Sequence, residues 1–166
     1  MTKHSLATAA IALALSAAAL PAYAAAGQLT NSWRTAGGWL TEQRVHPDGG
    51  KVCSTGKAGT APHAFGLSIV RSGPENLLLV VDQQQPPTAG GEMTFVQAGQ
   101  TIGTLPVQAS GPAFASTDPL GRQTPELISK LGPGALTINV AGRQYQADMT
   151  GFPEAMSQLA QCAQST

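Results

Sequence analysis

The chain has 166 residues, 42% of them apolar and 5% aromatic, with nine Lys and Arg against nine Asp and Glu, and two cysteines. That length sets one folded domain, or two at most, and the apolar content excludes a disordered chain. Zero formal net charge with the basic residues scattered singly excludes the electrostatic footprint of a nucleic-acid binder and a polybasic membrane-surface segment.

The N-terminus reads as a leader. Lys3 and His4 are followed by an unbroken small and apolar run, Leu6–Leu20, and then by Pro21-Ala22-Tyr23-Ala24. A charged region, an apolar region and an A-x-A ending predict a secretory signal peptide, residues 1–24, cut after Ala24. The apolar run is shorter than the roughly 20 residues that span a bilayer, and no cysteine stands directly after the cut to carry a lipid. Residues 25–166 are expected to form a single domain without a membrane span, periplasmic or secreted from a bacterium. Loss of Lys3 leaves eight basic residues against nine acidic.

Nineteen glycines and twelve prolines punctuate the chain between short runs. Leu29–Thr35 and Trp39–Val45 read as strands, and His46-Pro47-Asp48-Gly49-Gly50 turns the chain back into Lys51–Ser54. Ala64–Arg71 alternates, as a half-buried strand does. Asn76–Asp82 carries five apolar residues in succession and reads as a central strand covered on both faces. The two should pair as a hairpin.

Gln83–Gly91 has two prolines and reads as an exposed loop. Met93–Ala98 and Thr101–Gln108 follow as strands, and Ala109–Gly121 as a second loop from which Phe114 and Leu120 could pack inward. Thr124-Pro125-Glu126 has the signature of a helix start, with Thr124 as the capping hydroxyl, and Gly132-Pro133-Gly134 stops that helix. Ala135–Val140 and Arg143–Met149 flank a two-residue hairpin, Ala141-Gly142, in which alanine fits the first position poorly. Phe152, Ala155, Met156, Leu159 and Cys162 then recur at helical spacing.

These elements predict a mainly β fold: an antiparallel β sandwich or flattened barrel of about eight strands, with a short helix near 125–131 and a C-terminal helix near 152–163. In an oxidising compartment, Cys53 and Cys162 are most simply one structural disulfide. The rival readings are two free thiols, or a reactive cysteine beside His46 or His63. Cys162 falls on the buried stripe of its helix, which favours the disulfide.

The order of features from Trp33 to Cys162, with an early cysteine, a short helix before Leu131-Gly132, a strand pair, and the ending Met149-Thr150-Gly151-Phe152-x-x-Ala155-x-x-x-Leu159-x-x-Cys162, resembles the invasion-associated locus B-like group of small secreted proteobacterial proteins. The resemblance implies an envelope or secreted role in contact with a host cell. It implies no particular chemistry and carries over no functional residue beyond the two cysteines. Members of that group often have further cysteines, which this chain lacks.

Reactive constellations are sparse. His46 and His63 have no partner at metal-ligand spacing, so neither a metal nor another cofactor is expected. A triad assembled from a serine, one histidine and Asp82 or Asp148 lacks the G-x-S-x-G turn that strains a nucleophile. Asp82 is expected to end a buried strand and face its loop, and Asp148 to face solvent. Trp33 and Trp39 have two readings, a sugar-stacking surface or core packing. The candidate binding surface is therefore Trp33 and Trp39 together with Gln83, Gln84 and Gln85 of the polar loop. The expected function is an exported, non-catalytic binding or interaction protein of the bacterial cell envelope, its partner an unidentified protein or envelope component. The alternative is a periplasmic or secreted hydrolase using His46 or His63.

Overall fold

Strands form where alternating or continuous apolar runs are bounded by glycine, proline or a polar turn. A computed structural model describes residues 27–72 and 75–164. The predicted signal peptide, residues 1–24, lies outside the described residues. The strands are β1 (Gln28–Arg34), β2 (Leu40–Val45), β3 (Lys51–Gly59), β4 (Phe65–Ser72), β5 (Glu75–Val81), β6 (Gly91–Gln97), β7 (Gln100–Ser110), β8 (Ala113–Ser116), β9 (Ala135–Val140) and β10 (Arg143–Asp148). Helices α1 (Gln123–Lys130) and α2 (Phe152–Gln164) interrupt and end the series. Neither is long and apolar enough to cross a membrane.

All pairings are antiparallel, in one sheet of order β1-β2-β3-β4-β5-β8-β7-β6-β9-β10. The fold is the expected mainly β architecture with its C-terminal helix. The sheet does not close, but it curls until β10 meets the segment after β3. There Ala61 and Gln146 form an isolated bridge, in which the Gln146 N–H donates to Ala61 O (3.0 Å) and the Thr60 N–H to Gln146 O (3.3 Å).

β5 is buried on both faces, as its unbroken apolar run predicts. Leu78 and Val80 join the main core with Phe95, Leu105, Phe114, Ile138 and Tyr145, whereas Leu79 and Val81 join Val52, Val70, Ala113 and Ala115 in a second cluster. The buried stripe of α2 (Phe152, Ala155, Leu159, Cys162) and Leu127 and Ile128 of α1 belong to the main core. Cys53 of β3 and Cys162 of α2 form the disulfide, with their Cα atoms 6.1 Å apart across a sequence separation of 109 residues.

Two expectations are corrected. The Ala109–Gly121 segment is not all loop, because β8 occupies part of it, and the described residues hold ten strands beside the expected about eight. Phe114 is its inward anchor, while Leu120 stays 77% exposed. Thr124 is not the cap of α1, which begins at Gln123 with Arg122 in the capping position and no capping side chain there. Thr124 is buried, its N–H donates to Asp118 Oδ2 (2.8 Å), and its hydroxyl lies 3.4 Å from Ser116 Oγ. Asp118 is therefore the carboxylate that receives the free Thr124 N–H of the first turn. The Ala141-Gly142 hairpin forms with both residues at positive φ, +48° and +74°, as its two-residue length requires. The cost falls on alanine, whose Cβ disfavours that region.

Candidate functional site

β5 ends where its apolar run meets Asp82, whose N–H donates to Pro112 O (2.7 Å) and whose side chain turns into the protein, fully buried. A buried carboxylate must be paired or hydrogen-bonded throughout. Oδ1 of Asp82 accepts the Gln84 N–H (3.1 Å) and the Gln85 N–H (2.8 Å), an Asx-type turn that fixes the start of the loop. The same oxygen lies 2.7 Å from His63 Nε2, brought in by the β3–β4 loop. Oδ2 accepts the Tyr145 hydroxyl proton (2.7 Å) from β10.

Arg143, two residues earlier on β10, completes the cluster. Its Nη1 is 3.5 Å from Asp82 Oδ2 and 3.4 Å from the Tyr145 hydroxyl oxygen, and it donates to Gln85 O. Its guanidinium carbon lies 5.6 Å from the centroid of the Phe114 ring, within cation–π range. Tyr145 packs on Phe65 with centroids 4.9 Å apart, and His63 meets its ring edge-on at 6.5 Å.

The hydrogen bonds dominate the electrostatics. Burial acts to raise the Asp82 carboxyl, but the Tyr145 hydroxyl, the Gln85 N–H and His63 outweigh it and hold the pKa below its ordinary value. Tyr145 moves the other way. Burial raises its pKa, the Arg143 hydrogen bond opposes this, and the acceptor Asp82 adds to the rise.

This is the expected placement of Asp82, at a buried strand end facing its loop. Gln83, Gln84 and Gln85 are exposed, held at the backbone by Asp82 and Arg143. Asp148 faces solvent as expected. Its carboxylate accepts the Thr150 hydroxyl (2.7 Å) and N–H (3.0 Å) and lies 3.1 Å from Lys57 Nζ. Those contacts, the Thr150 hydroxyl foremost, lower its pKa to about 2.

The structure separates the other candidates. His46 lies in the β2–β3 turn, where its N–H donates to Gly50 O (2.8 Å). The length of β3, roughly 27–30 Å at the usual rise per residue, stands between it and His63. Trp39 is removed from the candidate surface. It is 0% exposed, its ring centroid lies 5.3 Å from that of Phe152, and its Nε1–H donates to Thr150 O (3.0 Å). An indole whose only polar atom is satisfied inside is a core residue. Trp33 remains at the surface, 38% exposed, on β1, the edge strand opposite β10 in the strand order.

Sequence reasoning missed Tyr145 and Arg143. Tyr145 was visible only as one inward residue of an alternating strand, and it lies 63 residues from the aspartate that it meets. The bridge that sets β10 against the end of β3 brings them together.

The cluster has two chemical possibilities. His63 oriented by a buried carboxylate is two thirds of a hydrolytic triad, but among the described residues no serine, threonine or cysteine hydrogen-bonds to its second nitrogen. The same groups also constitute a fully bonded anchor for the Gln83–Gln85 segment. No three His, Cys, Asp or Glu among the described residues are grouped to hold a metal ion. Compared with protein-family models, with curated proteins and with solved structures, the chain matches none.

Proposed function

We propose that this is an exported, non-catalytic interaction protein of the bacterial cell envelope, and that the polar segment beginning at Gln83 is the surface it presents. One observation carries the reading. The ionisable groups at the end of β5 are used to fix the backbone of Gln84 and Gln85, while the amide side chains of Gln83, Gln84 and Gln85 stay exposed and make no hydrogen bond among the described residues. Binding residues on a loop held by a rigid scaffold lose little entropy on association. Primary amides both donate and accept, so the chemistry they fit is a polar one, a peptide backbone or a hydroxyl-rich envelope component. The disulfide supports an extracytoplasmic setting.

The test mixes envelope fractions with the oxidised, exported protein carrying a photo-crosslinking residue at Thr88, an exposed position of the same segment. A defined component should be captured, and capture should be lost when Gln83, Gln84 and Gln85 are all changed to Ala. The hydrolase reading rests on the 2.7 Å contact between His63 and Asp82. Ester, peptide or glycoside hydrolysis that disappears in His63→Ala but persists in the triple-Gln variant would replace the interaction reading.

A further inference from the structure

We infer that the free edge of β1 takes up an extended segment of a partner protein as an eleventh strand. This surface is distinct from the glutamine segment. Among the described residues β1 is the terminal strand of the sheet, and all seven of its residues are exposed. Its sequence, Gln-Leu-Thr-Asn-Ser-Trp-Arg, contains no proline or lysine, two of the usual devices that blunt a strand edge. The opposite edge is not equivalent, because Gln146 of β10 is already bonded to Thr60 and Ala61.

The exposed apolar side chains mark the same place. Of the three large hydrophobic residues exposed among the described residues, Leu29 (45%) and Trp33 (38%) are both on β1. Trp33 stands opposite Thr41, and the Thr41 hydroxyl bonds to that of Thr55 (2.9 Å). Cys53, two residues from Thr55 on β3, is bonded to α2. Directly opposed residues share a face, and so do residues two apart on a strand. Trp33 therefore stands on the face that α2 covers farther in. An incoming strand would gain β1's outward backbone groups and lay one side chain on the indole, beside the helix, which is the general mode of β-strand addition.

Charge and size select the occupant. Arg34 ends β1 without an ion-pair partner among the described residues, and β1 has no acidic residue. A second copy pairing through β1 would set Arg34 against an edge with no carboxylate. It would also offer seven residues a side, where stable interfaces use about 20–30. A bulge between Leu29 and Asn31 leaves Asn31–Arg34 as the regular part of the edge, enough for a short added segment and too little for a stable dimer. The fitting partner is an extended segment of another protein, with an apolar side chain at Trp33 and a carboxylate near Arg34.

The experiment titrates the full oxidised chain with an acetylated seven-residue peptide of alternating valine and threonine ending in glutamate. Trp33 emission and amide hydrogen exchange are followed together. The expected result is a saturable blue shift, with slowed exchange confined to residues 28–34. Binding should fall at least about tenfold when alternate peptide nitrogens are methylated, because the ladder then loses its donors. It should also weaken when the glutamate is replaced by lysine or when the protein carries Trp33→Ser, and be retained in the triple-Gln variant. Equal binding of the methylated peptide overturns the inference, as does exchange protection at Gln83–Gly91 instead. Absence of saturation at millimolar peptide, or a concentration-dependent dimer abolished by Trp33→Ser, overturns it too. Should Trp33→Ser fail to fold, the methylated peptide decides the question on the unaltered protein.

Discussion

Replacing Asp82 by Asn keeps the shape of the side chain and removes its charge, so it isolates what the buried carboxylate contributes. In the native protein four groups bond to it: His63 Nε2 and the Tyr145 hydroxyl at 2.7 Å, and the Gln85 and Gln84 N–H groups at 2.8 and 3.1 Å. Asparagine retains one acceptor oxygen, which can serve the two backbone donors. Its amide nitrogen then faces the Tyr145 hydroxyl, a donor to the native carboxylate, and the nearby Arg143 cation. Hydrogen bonds to a charged group contribute about 1.5–3 kcal/mol each, and breaking one side of a buried ion pair costs about 3–5 kcal/mol. We expect Asp82→Asn to lose about 3–5 kcal/mol at pH 7, a large share of the roughly 5–15 kcal/mol of a typical domain. Urea unfolding of the oxidised protein would measure it.

The pH dependence supplies a second reading. The folded-state pKa of Asp82 is lowered from its ordinary 3.8, so its contribution is complete above that value and is lost as pH falls through the lower, folded value. The stability difference between native and Asp82→Asn protein should be level from pH 7 to 5 and narrow below about pH 4. A difference under about 1 kcal/mol at pH 7, or a gap unchanged down to pH 3, would refute the anchoring role.

Reducing the disulfide, or changing both cysteines to Ser, should cost about 4–5 kcal/mol in the chain-entropy account, because the bridge closes a separation of 109 residues. Denaturant unfolding with and without reductant checks this. Gly37→Ala should destabilise by about 1–3 kcal/mol, since a Cβ there runs into the Thr150 carbonyl and the Gly151 Cα. A thermal melt in which this variant matches the native protein would mean that the two turns are not in contact. Asp148 should titrate at about 2 by carboxyl NMR. Its midpoint should rise more in Thr150→Val than in Lys57→Met, because the Thr150 hydroxyl is the largest cause of the depression.

The elements legible in the sequence were those whose signal is local. The unbroken Leu77–Val81 run gave a strand covered on both faces, and the three- and four-residue recurrence to Cys162 gave the helix that carries the disulfide. Each reading failed where a distant partner decided the outcome. β8 is four residues long, too short for alternation to register, and its place between β5 and β7 comes from pairing. Thr124 looked like a cap until Asp118, six residues earlier, proved to reach its N–H first. Trp33 and Trp39 have the same composition signal and opposite fates, because α2 covers β2 and the edge strand lies beyond it. Asp82 could be placed at its loop from sequence, whereas its partners on β10 depend on how far the sheet curls.

That curl explains why an ionic cluster sits where it does. Where β10 returns to the segment after β3, the sheet has one bridge in place of a full ladder, and a seam with few backbone bonds needs side chains to define it. Tyr145 and Arg143 come from one side of the seam, His63 from the other, and Asp82 from the end of β5 joins them. A hydrophobic contact there would be non-directional and would tolerate slippage. A carboxylate shared by four donors fixes one register, and because two of those donors are the N–H groups of Gln84 and Gln85, the same bonds that fix the seam fix the loop. Any perturbation that opens the seam should therefore loosen Gln83–Gln85 before it melts the core. Amide exchange would show this as early loss of protection at Gln84 and Gln85 in Tyr145→Phe, with Leu78 and Ile138 still protected. Simultaneous loss at all four positions would mean that the seam and the core are a single cooperative unit.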